Sequence, residues 1–354
     1  MSTVCRHFAV FGLLCGLFWG EEKPTAKPTN IDVVVMKNGD RLSGEIKRIE
    51  HGLLYLEAPY ISGEQVAVDW LQVERIDSVR RFRVELDNGA RLTGQVSLAT
   101  SSESGRSEFS IQSGGQTVRA PRESVVEMGT QKPNFFRQLK GNIDFGYSYT
   151  SGNDQVQGNF DATSKFESPT YLIEGQIDST ISLVSGANET NRQQLTTLLG
   201  RYFSKQDLLF AGADFLSSNQ QRLDLRATFA GGYGRSFIKT PRTELTLLAG
   251  LAYNHERYDA SAGQLPSHDS AESLFALRYS TFRFNRTEFS NGLQVIPSLS
   301  DPGRVRSNLN SAFTLKLVNN LHFQVNLWDT FDSQPPIKAK KNELGVSSGL
   351  GWTY

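Results

Sequence analysis

From about Gln138 to the last residue, apolar and polar positions alternate in long segments separated by turns. Asn142 to Tyr149 places Ile143, Phe145, Tyr147 and Tyr149 on one face and Asn142, Asp144, Gly146 and Ser148 on the other. Ile173 to Leu183, Val305 to Leu317 and Leu321 to Phe331 repeat the pattern. A period of two is that of a β-strand with two unlike faces. The segments run to about 10–14 residues, where strands of soluble proteins usually have about 5–6 and a tilted membrane strand needs about 9–11. Twelve segments are expected, centred near Asp144, Phe160, Gln176, Leu198, Gly212, Thr228, Leu248, Arg278, Gly292, Asn310, Val325 and Gly349. The segment around Leu198 alternates poorly.

The connections alternate in length. Short turns are expected at Ser168 to Thr170, Lys205 to Asp207, Thr240 to Arg242, Asn285 to Thr287 and Val318 to Asn320. Longer ones are expected at Ser185 to Asn191, Ser217 to Gln221, Glu256 to Ala271, Ser298 to Gly303 and Asp332 to Lys341. Short turns at one end, longer loops at the other and an even strand number are the marks of a bacterial outer-membrane barrel. The polar faces supply candidate lumen residues: Asp144, Glu174, Asp178, Arg226, Arg278, Arg306, Lys316 and His322, with Asp214, Asp224 and Glu343. Such mixed charges fit either a salt-bridged plug or a narrow pore. The chain closes on SSGLGWTY, in which Gly349, Trp352 and Tyr354 match the signal by which barrel assembly machinery reads a terminal strand. Aromatic rings there suit the membrane interface.

The first third reads differently. Lys37 to Ile46 (KNGDRLSGEI) and Asp87 to Val96 (DNGARLTGQV) repeat at a spacing of 50 residues. Each runs a strand into Asn-Gly, and Asn38, Gly39, Asn88 and Gly89 are expected to form type I′ hairpin turns. Residues 31–130 thus read as a tandem or pseudo-symmetric β repeat of SH3-like or Sm-like type. The whole chain is expected to be all-β: this repeat domain, then an antiparallel transmembrane β-barrel of about 12 strands over residues 138–354.

The N-terminus changes the compartment. Arg6 followed by the apolar run Phe8 to Trp19 reads as a signal peptide over residues 1–20, too short for a membrane helix. Residues 21–30 form a Pro/Thr/Lys linker. Lipidation at Cys15 is not expected, because Leu14 stands where a small residue is needed. The only other cysteine, Cys5, is also in the leader, so the mature chain carries no thiol chemistry. Lys plus Arg and Asp plus Glu both number 37, which gives no net field for nucleic acid.

With LKGNIDFGYSYTSGN at the first barrel segment, TNRQQ before the fourth and the closing strand in view, the chain resembles the domain-of-unknown-function family DUF481, described as salt-induced outer-membrane proteins. The first strand of that family ends in a Ser/Thr-Gly-Asn turn, here Ser151-Gly152-Asn153 after Thr150. The resemblance covers roughly Gln138 to Tyr354 and implies location and architecture. It carries no catalytic residue and no ligand.

No nucleotide, zinc or calcium pattern is present, and no cofactor is expected. The expected function is that of an outer-membrane barrel, structural or a narrow channel rather than an enzyme. Its repeat module is expected in the periplasm, bound to a periplasmic protein or peptidoglycan. Outer-membrane lipid and the barrel assembly machinery are its other expected partners. One rival is a hydrolase using His255 and His268 with Asp259 and Asp269 around the longest loop; another is a soluble periplasmic binding protein.

Overall fold

The computed structural model describes residues 31–61, 65–100, 107–130, 138–150, 155–183, 190–258, 267–283, 286–318, 320–335 and 339–354. The expected leader and linker, Ser151 to Asn153 and Asp259 lie outside the described residues.

The N-terminal third is one nine-stranded sheet rather than two separate barrels. Strands β1 (Asp32–Met36), β2 (Arg41–Glu50), β3 (Leu53–Glu57) and β4 (Val66–Asp69) lead through a 3-10 turn, Trp70–Gln72, into β5 (Val73–Leu86). Strands β6 (Arg91–Thr100), β7 (Ser107–Ser113) and β8 (Gln116–Pro121) follow, then a second 3-10 turn, Arg122–Ser124, and β9 (Val125–Thr130). The start of β5 pairs with β1 and closes the first repeat, and its end pairs with β6 and β9 and opens the second. One long strand therefore serves both repeats, which is why the two units share a single core from Val34 to Met128. The two 3-10 turns are pinned to each other: Trp70 Nε1 donates to the Arg122 carbonyl and Arg122 Nη1 to the Val73 carbonyl, both at 2.8 Å.

The type I′ expectation is corrected. Only the glycines of the two hairpins have positive φ, +89° at Gly39 and +77° at Gly89. Gly39 N donates to Met36 O, and Met36 N to Asp40 O; Leu86, Gly89 and Ala90 repeat this. These are three-residue loops, a type I turn followed by a left-handed glycine. The asparagines act otherwise: Asn38 Oδ1 accepts from Asp40 N at 3.1 Å and Asn88 Oδ1 from Ala90 N at 2.9 Å. That bond rewards ordinary negative φ at Asn, so the left-handed burden falls on glycine alone.

The repeated Gly44 and Gly94 have a packing reason. A Cβ on Gly44 would collide with the Glu57 carbonyl, and one on Gly94 with that of Gln112. Gly94→Ala is expected to destabilise the N-terminal sheet by about 1–3 kcal/mol, the range for overpacking a tight core. Loss of the near-ultraviolet signal of buried Trp70 at a lower temperature than in the parent would register it; an unchanged midpoint would contradict it.

The remainder is a closed antiparallel barrel of twelve strands, as the alternation implied. In order they are β10 (Lys140–Thr150), β11 (Gln155–Glu167), β12 (Tyr171–Leu183), β13 (Thr190–Tyr202), β14 (Asp207–Ser218) and β15 (Leu223–Lys239). Then come β16 (Thr243–Tyr258), β17 (Ser267–Arg283), β18 (Thr287–Pro297), β19 (Val305–Val318), β20 (Leu321–Asp332) and β21 (Asn342–Thr353). Five of the turns at the end carrying Lys140 and Tyr354 are short; this is the short-turn end, and the opposite one the long-loop end. Ser217 to Gln221 is corrected: β14 and β15 are joined by residues 219–222 alone, no longer than the turn at 203–206.

Outward positions carry Phe145, Ile173, Ile177, Leu199, Phe229, Leu251, Phe275, Phe313, Leu344 and Val346, all exposed. Tyr171, Phe203, Phe237, Trp352 and Tyr354 add aromatic rings at the short-turn end. A continuous apolar belt of this kind has no stable partner in water and matches bilayer hydrocarbon flanked by an aromatic girdle.

Candidate functional site: the barrel lumen

Register places Asp144, Glu174, Asp178, Arg226, Arg278, Arg306, Lys316 and His322 on the inward face, in three chemically distinct levels. Asp224 is the exception: a bulge between Leu223 and Leu225 turns it outward, where it meets Arg257 at the rim.

The long-loop level is a buried ion-pair network. Arg226 Nε lies 2.6 Å from Glu256, and Arg304 Nη2 lies 2.9 Å from Glu256 and 2.6 Å from Asp332. Arg306 pairs with Glu272, and Arg192 approaches Glu343, which also accepts from Ser218 at 3.1 Å. Four arginines face four carboxylates, and Glu256 and Glu272 are fully buried. The Ser218–Glu343 and Arg226–Asp332 contacts join strands five places apart around the ring, so they reach across the lumen. Arg304, in the loop before β19, was not legible as a lumen residue; strand alternation says nothing about loops.

The middle level has two unlike walls. On the polar side three aspartates stand in line, Asp144 opposite Asp161 and Asp161 opposite Asp178. Like charges facing across strands repel, and neutral or histidine partners hold each one. His322 Nε2 is 2.7 Å from Asp144, Asn326 Nδ2 is 3.4 Å from Asp161 and Gln176 Nε2 is 3.0 Å from Asp178. Asp161 was missed, although the parity of Gln157, Asn159 and Asp161 in β11 would have shown it. The other wall is apolar: Leu172, Leu198, Leu208, Phe210, Leu248 and Leu274 cluster with Ala276 and Ile296 inside the barrel. The poor alternation around Leu198 follows, since Leu195 and Leu199 face out while Leu198 faces in. Between the walls the Arg278–Glu174 pair, on strands five places apart, also spans the lumen, and the inward side chains around it keep part of their surface accessible. Arg278 points inward, paired with Glu174 at 2.5 Å, yet is 42% exposed, and Asn310 is exposed as well.

At the short-turn end the N-terminal sheet docks across the mouth. Lys239 Nζ lies 2.7 Å from Glu85, and Arg91 lies 2.8 Å from Glu85 and 3.1 Å from Glu167, with its guanidinium 3.6 Å from the Tyr202 ring centre. Lys140 pairs with Glu127, and Arg83 donates to the Glu167 carbonyl. His51 stacks on Phe282 at 4.2 Å, and Lys316 lies 5.1 Å from the same ring. Gly89 fits against the Lys205 carbonyl, where a Cβ would collide. Of the two repeat turns, then, Asn88-Gly89 meets the barrel, while around Gly39 no atom lies within 4 Å of a Cβ position. A cavity of about 100 Å3 remains at this junction, lined by Glu50, His51, Glu85, Lys239 and Phe282 among others.

Two carboxyls of the docked sheet give the junction a pH response. Burial works against ionised Glu50, but the charges of Lys140, His51 and Arg48 outweigh it and hold its carboxyl far below the usual range. Burial and the nearby Glu167 push the Glu85 carboxyl up against the pull of Lys239. A depressed carboxyl contributes above its free value and loses that contribution as pH falls; a raised one does the reverse. Docking is therefore expected to be tightest at mildly acidic pH. It should weaken steeply below about pH 4.5, the ordinary Glu value, and gently as Glu85 ionises. Spin labels at Asn38 and Asn219 would report it as a distance distribution that broadens in acid; a distribution constant through that range would contradict it.

The closing strand seals the seam at the same end. Tyr354 lies across Gly141 and donates from its hydroxyl to the Thr163 carbonyl at 3.0 Å. Gly351 leaves room for the His322–Asp144 bond to cross it, and Gly349 for the Phe145 carbonyl. Trp352 is outward and half exposed. The candidate loop histidines do not converge: His255 and Asp269, 2.7 Å apart, face outward, while His268 on the inner face bonds Asp301 at 2.9 Å. Among the described residues no group of three or more His, Cys, Asp or Glu is arranged to hold a metal.

Residues 143–354 match the model of the family described as "Protein of unknown function, DUF481". That is more than half of the chain, and the chain belongs to this family. No curated protein matches it. Among solved structures it is similar to the beta domain of the Bordetella autotransporter BrkA, at 11% identity over 61% of this chain and 97% of that one, TM-score 0.32. It is similar to a porin at 10% identity over 77% of this chain and 98% of that one, TM-score 0.29. A third similar chain comes from work on in-meso crystallisation of membrane proteins, at 10% identity over 61% and 83%, TM-score 0.30.

Proposed function

We propose that this DUF481 chain is an integral barrel of the bacterial outer membrane that forms a gated, narrow conduit and not an enzyme. The observation that carries the reading is a buried ion-pair network reaching across one end of the barrel and a sheet docked across the other, with inward Arg278 and Asn310 still partly accessible between them. The Arg226–Glu256–Arg304–Asp332 network shuts the long-loop end and the docked N-terminal sheet the other. A purely structural barrel gains little from four buried arginines, since apolar filling is generally at least as stable. Ion pairs can be separated and re-formed, which suits a gate. In this reading the short-turn end and the N-terminal sheet face the periplasm, where the free Asn38-Gly39 hairpin is open to a protein or peptidoglycan partner. Gly349, Trp352 and Tyr354 present the terminal strand to the assembly machinery, and the apolar belt contacts lipid.

Replacing Asn310 with cysteine tests closure, because no native cysteine lies beyond the leader. A membrane-impermeant maleimide is expected to label Asn310→Cys an order of magnitude more slowly than Ser300→Cys at the long-loop end. Equal rates from outside would mean a standing open pore and overturn the gate.

A further inference from the structure

The two halves of the N-terminal sheet are copies of one unit, and only one copy has its hairpin occupied. Strand register matches them: Val35 pairs with Arg41 as Glu85 pairs with Arg91. Lys37 N donates to the Gln72 carbonyl as Asp87 N does to that of Ser124, so the turns Trp70–Gln72 and Arg122–Ser124 also correspond. In the second copy Gly89 lies against the Lys205 carbonyl, in the turn that joins β13 to β14, with Gln206 beside it. Arg91 reaches the same carbonyl at 3.5 Å and Glu167 at 3.1 Å, and lies over the Tyr202 ring. The second copy therefore holds a β-turn that offers a carbonyl to the glycine and a carboxylate and a ring to the arginine. The first copy has the same parts without an occupant. Gly39 has no atom within 4 Å of a Cβ position, and Arg41 is exposed with no ion pair among the described residues. Where Arg91 has Glu85 of its own sheet, Arg41 has Val35, so a carboxylate for Arg41 has to come from outside.

We propose that the surface around Gly39 and Arg41 docks a β-turn of another protein in the periplasm, one that lays an exposed carbonyl on Gly39 and brings a carboxylate to Arg41. The proposal rests on the periplasmic placement of this hairpin in the function proposed above, and names its partner. Beside the hairpin a groove of about 310 Å3 opens between Met36, Leu42, Val68 and Gln72. It is more apolar than its occupied counterpart: Val68 stands where the second copy has Ala120, and Leu71, 44% exposed, where it has Glu123. An exposed apolar group rimmed by charge marks a contact surface for protein. A glycan strand would meet Arg41 with hydroxyls and leave Leu71 and Val68 in water. A second copy in the same membrane is no better placed. The His51–Gly52 end of β2 rests on the barrel at Phe282 and Arg242, and the Asn38–Gly39 hairpin lies at the other end of that strand. A neighbouring barrel presents its turns level with the mouth, a strand's length away.

The occupied copy supplies the probe. A fluorescein-labelled cyclic peptide of residues 200–209, the hairpin between β13 and β14, is made with Gln206→Glu to provide the carboxylate beside the Lys205 carbonyl. It is titrated by fluorescence anisotropy against the full chain in detergent micelles. Saturable binding is expected, and Arg41→Glu is expected to weaken it by about tenfold or more, since like charges then meet. The same variant is expected to bind a Gln206→Lys probe more tightly than the parent does, a reversal that misfolding would not produce. Absence of saturable binding, or an Arg41→Glu variant that binds both probes as the parent does, would overturn the proposal. Displacement of the probe by soluble muropeptides would assign the surface to the cell wall and overturn the protein turn. A separate measurement tests the placement on which the proposal rests. Lys37→Cys in whole cells is expected to react with a bulky impermeant maleimide only after the outer membrane is permeabilised. Reaction in intact cells would overturn the periplasmic placement, and the periplasmic partner with it, whatever the peptide does.

Discussion

Glu256→Ala is expected to be the most damaging single change in the barrel. Its carboxylate is fully buried and accepts from Arg226, Arg304 and the Tyr258 hydroxyl. Removing it leaves two guanidinium groups out of water with only Asp332 between them. Breaking one partner of a buried network costs about 3–5 kcal/mol, because the charges left behind keep their desolvation penalty. The temperature at which the folded band on an unboiled gel gives way to the unfolded one should drop well below that of the parent. Glu256→Gln, which keeps an acceptor and the shape, should lie between. If the loss comes from unpaired charge, adding Arg304→Met to Glu256→Ala should restore part of it, since contacting residues are not additive. A parent-like transition for Glu256→Ala would mean that the network is solvated and does not close the lumen.

The second large effect is expected at the other end. Arg91→Ala with Lys239→Ala removes both cations that stand between Glu85 and Glu167. Two nearly buried carboxylates would then face each other across the junction. Truncating a buried charge pair costs about 2–5 kcal/mol, which is roughly thirtyfold to several thousandfold in the docking equilibrium. The N-terminal sheet should leave the mouth while staying folded, since neither residue belongs to its core. In planar bilayers the parent is expected to be nearly silent, and the double variant to conduct only when Glu256→Ala also opens the outer network. Cations should be favoured, because Asp144, Asp161, Asp178 and Asp214 then dominate the open chamber. Arg119→Ala, which removes an exposed pair with Glu108, should behave as the parent. Conduction by the double variant alone would mean that the outer network does not close the long-loop end.

What the sequence disclosed follows from what alternation encodes. Strand number, order and inward parity are local, and Asp144, Arg226 and His322 could be placed by counting along single strands. The strand around Leu198 resisted because an apolar residue on the inward face looks the same as a break in the pattern. The cluster it belongs to exists only once β13 to β18 curl round to share it. Asp161 was legible by parity and was passed over. Arg304 was not, since its position depends on a loop folding back over the mouth. The docking of Glu85, Arg91 and His51 on the barrel joins residues far apart in the chain by charge and shape, and neither has a period. At Asn38-Gly39 the dipeptide correctly marked a hairpin, but its type was settled by the asparagine side chain capping Asp40.

The central claim, that residues 138–354 fold as a closed barrel in the outer membrane, is tested most directly by heat modifiability. Membranes are fractionated, the protein is extracted with detergent, and boiled and unboiled samples are compared on one gel. A faster unboiled band, found in the outer-membrane fraction, is the expected result. A single unshifted band from the soluble periplasmic fraction would contradict it.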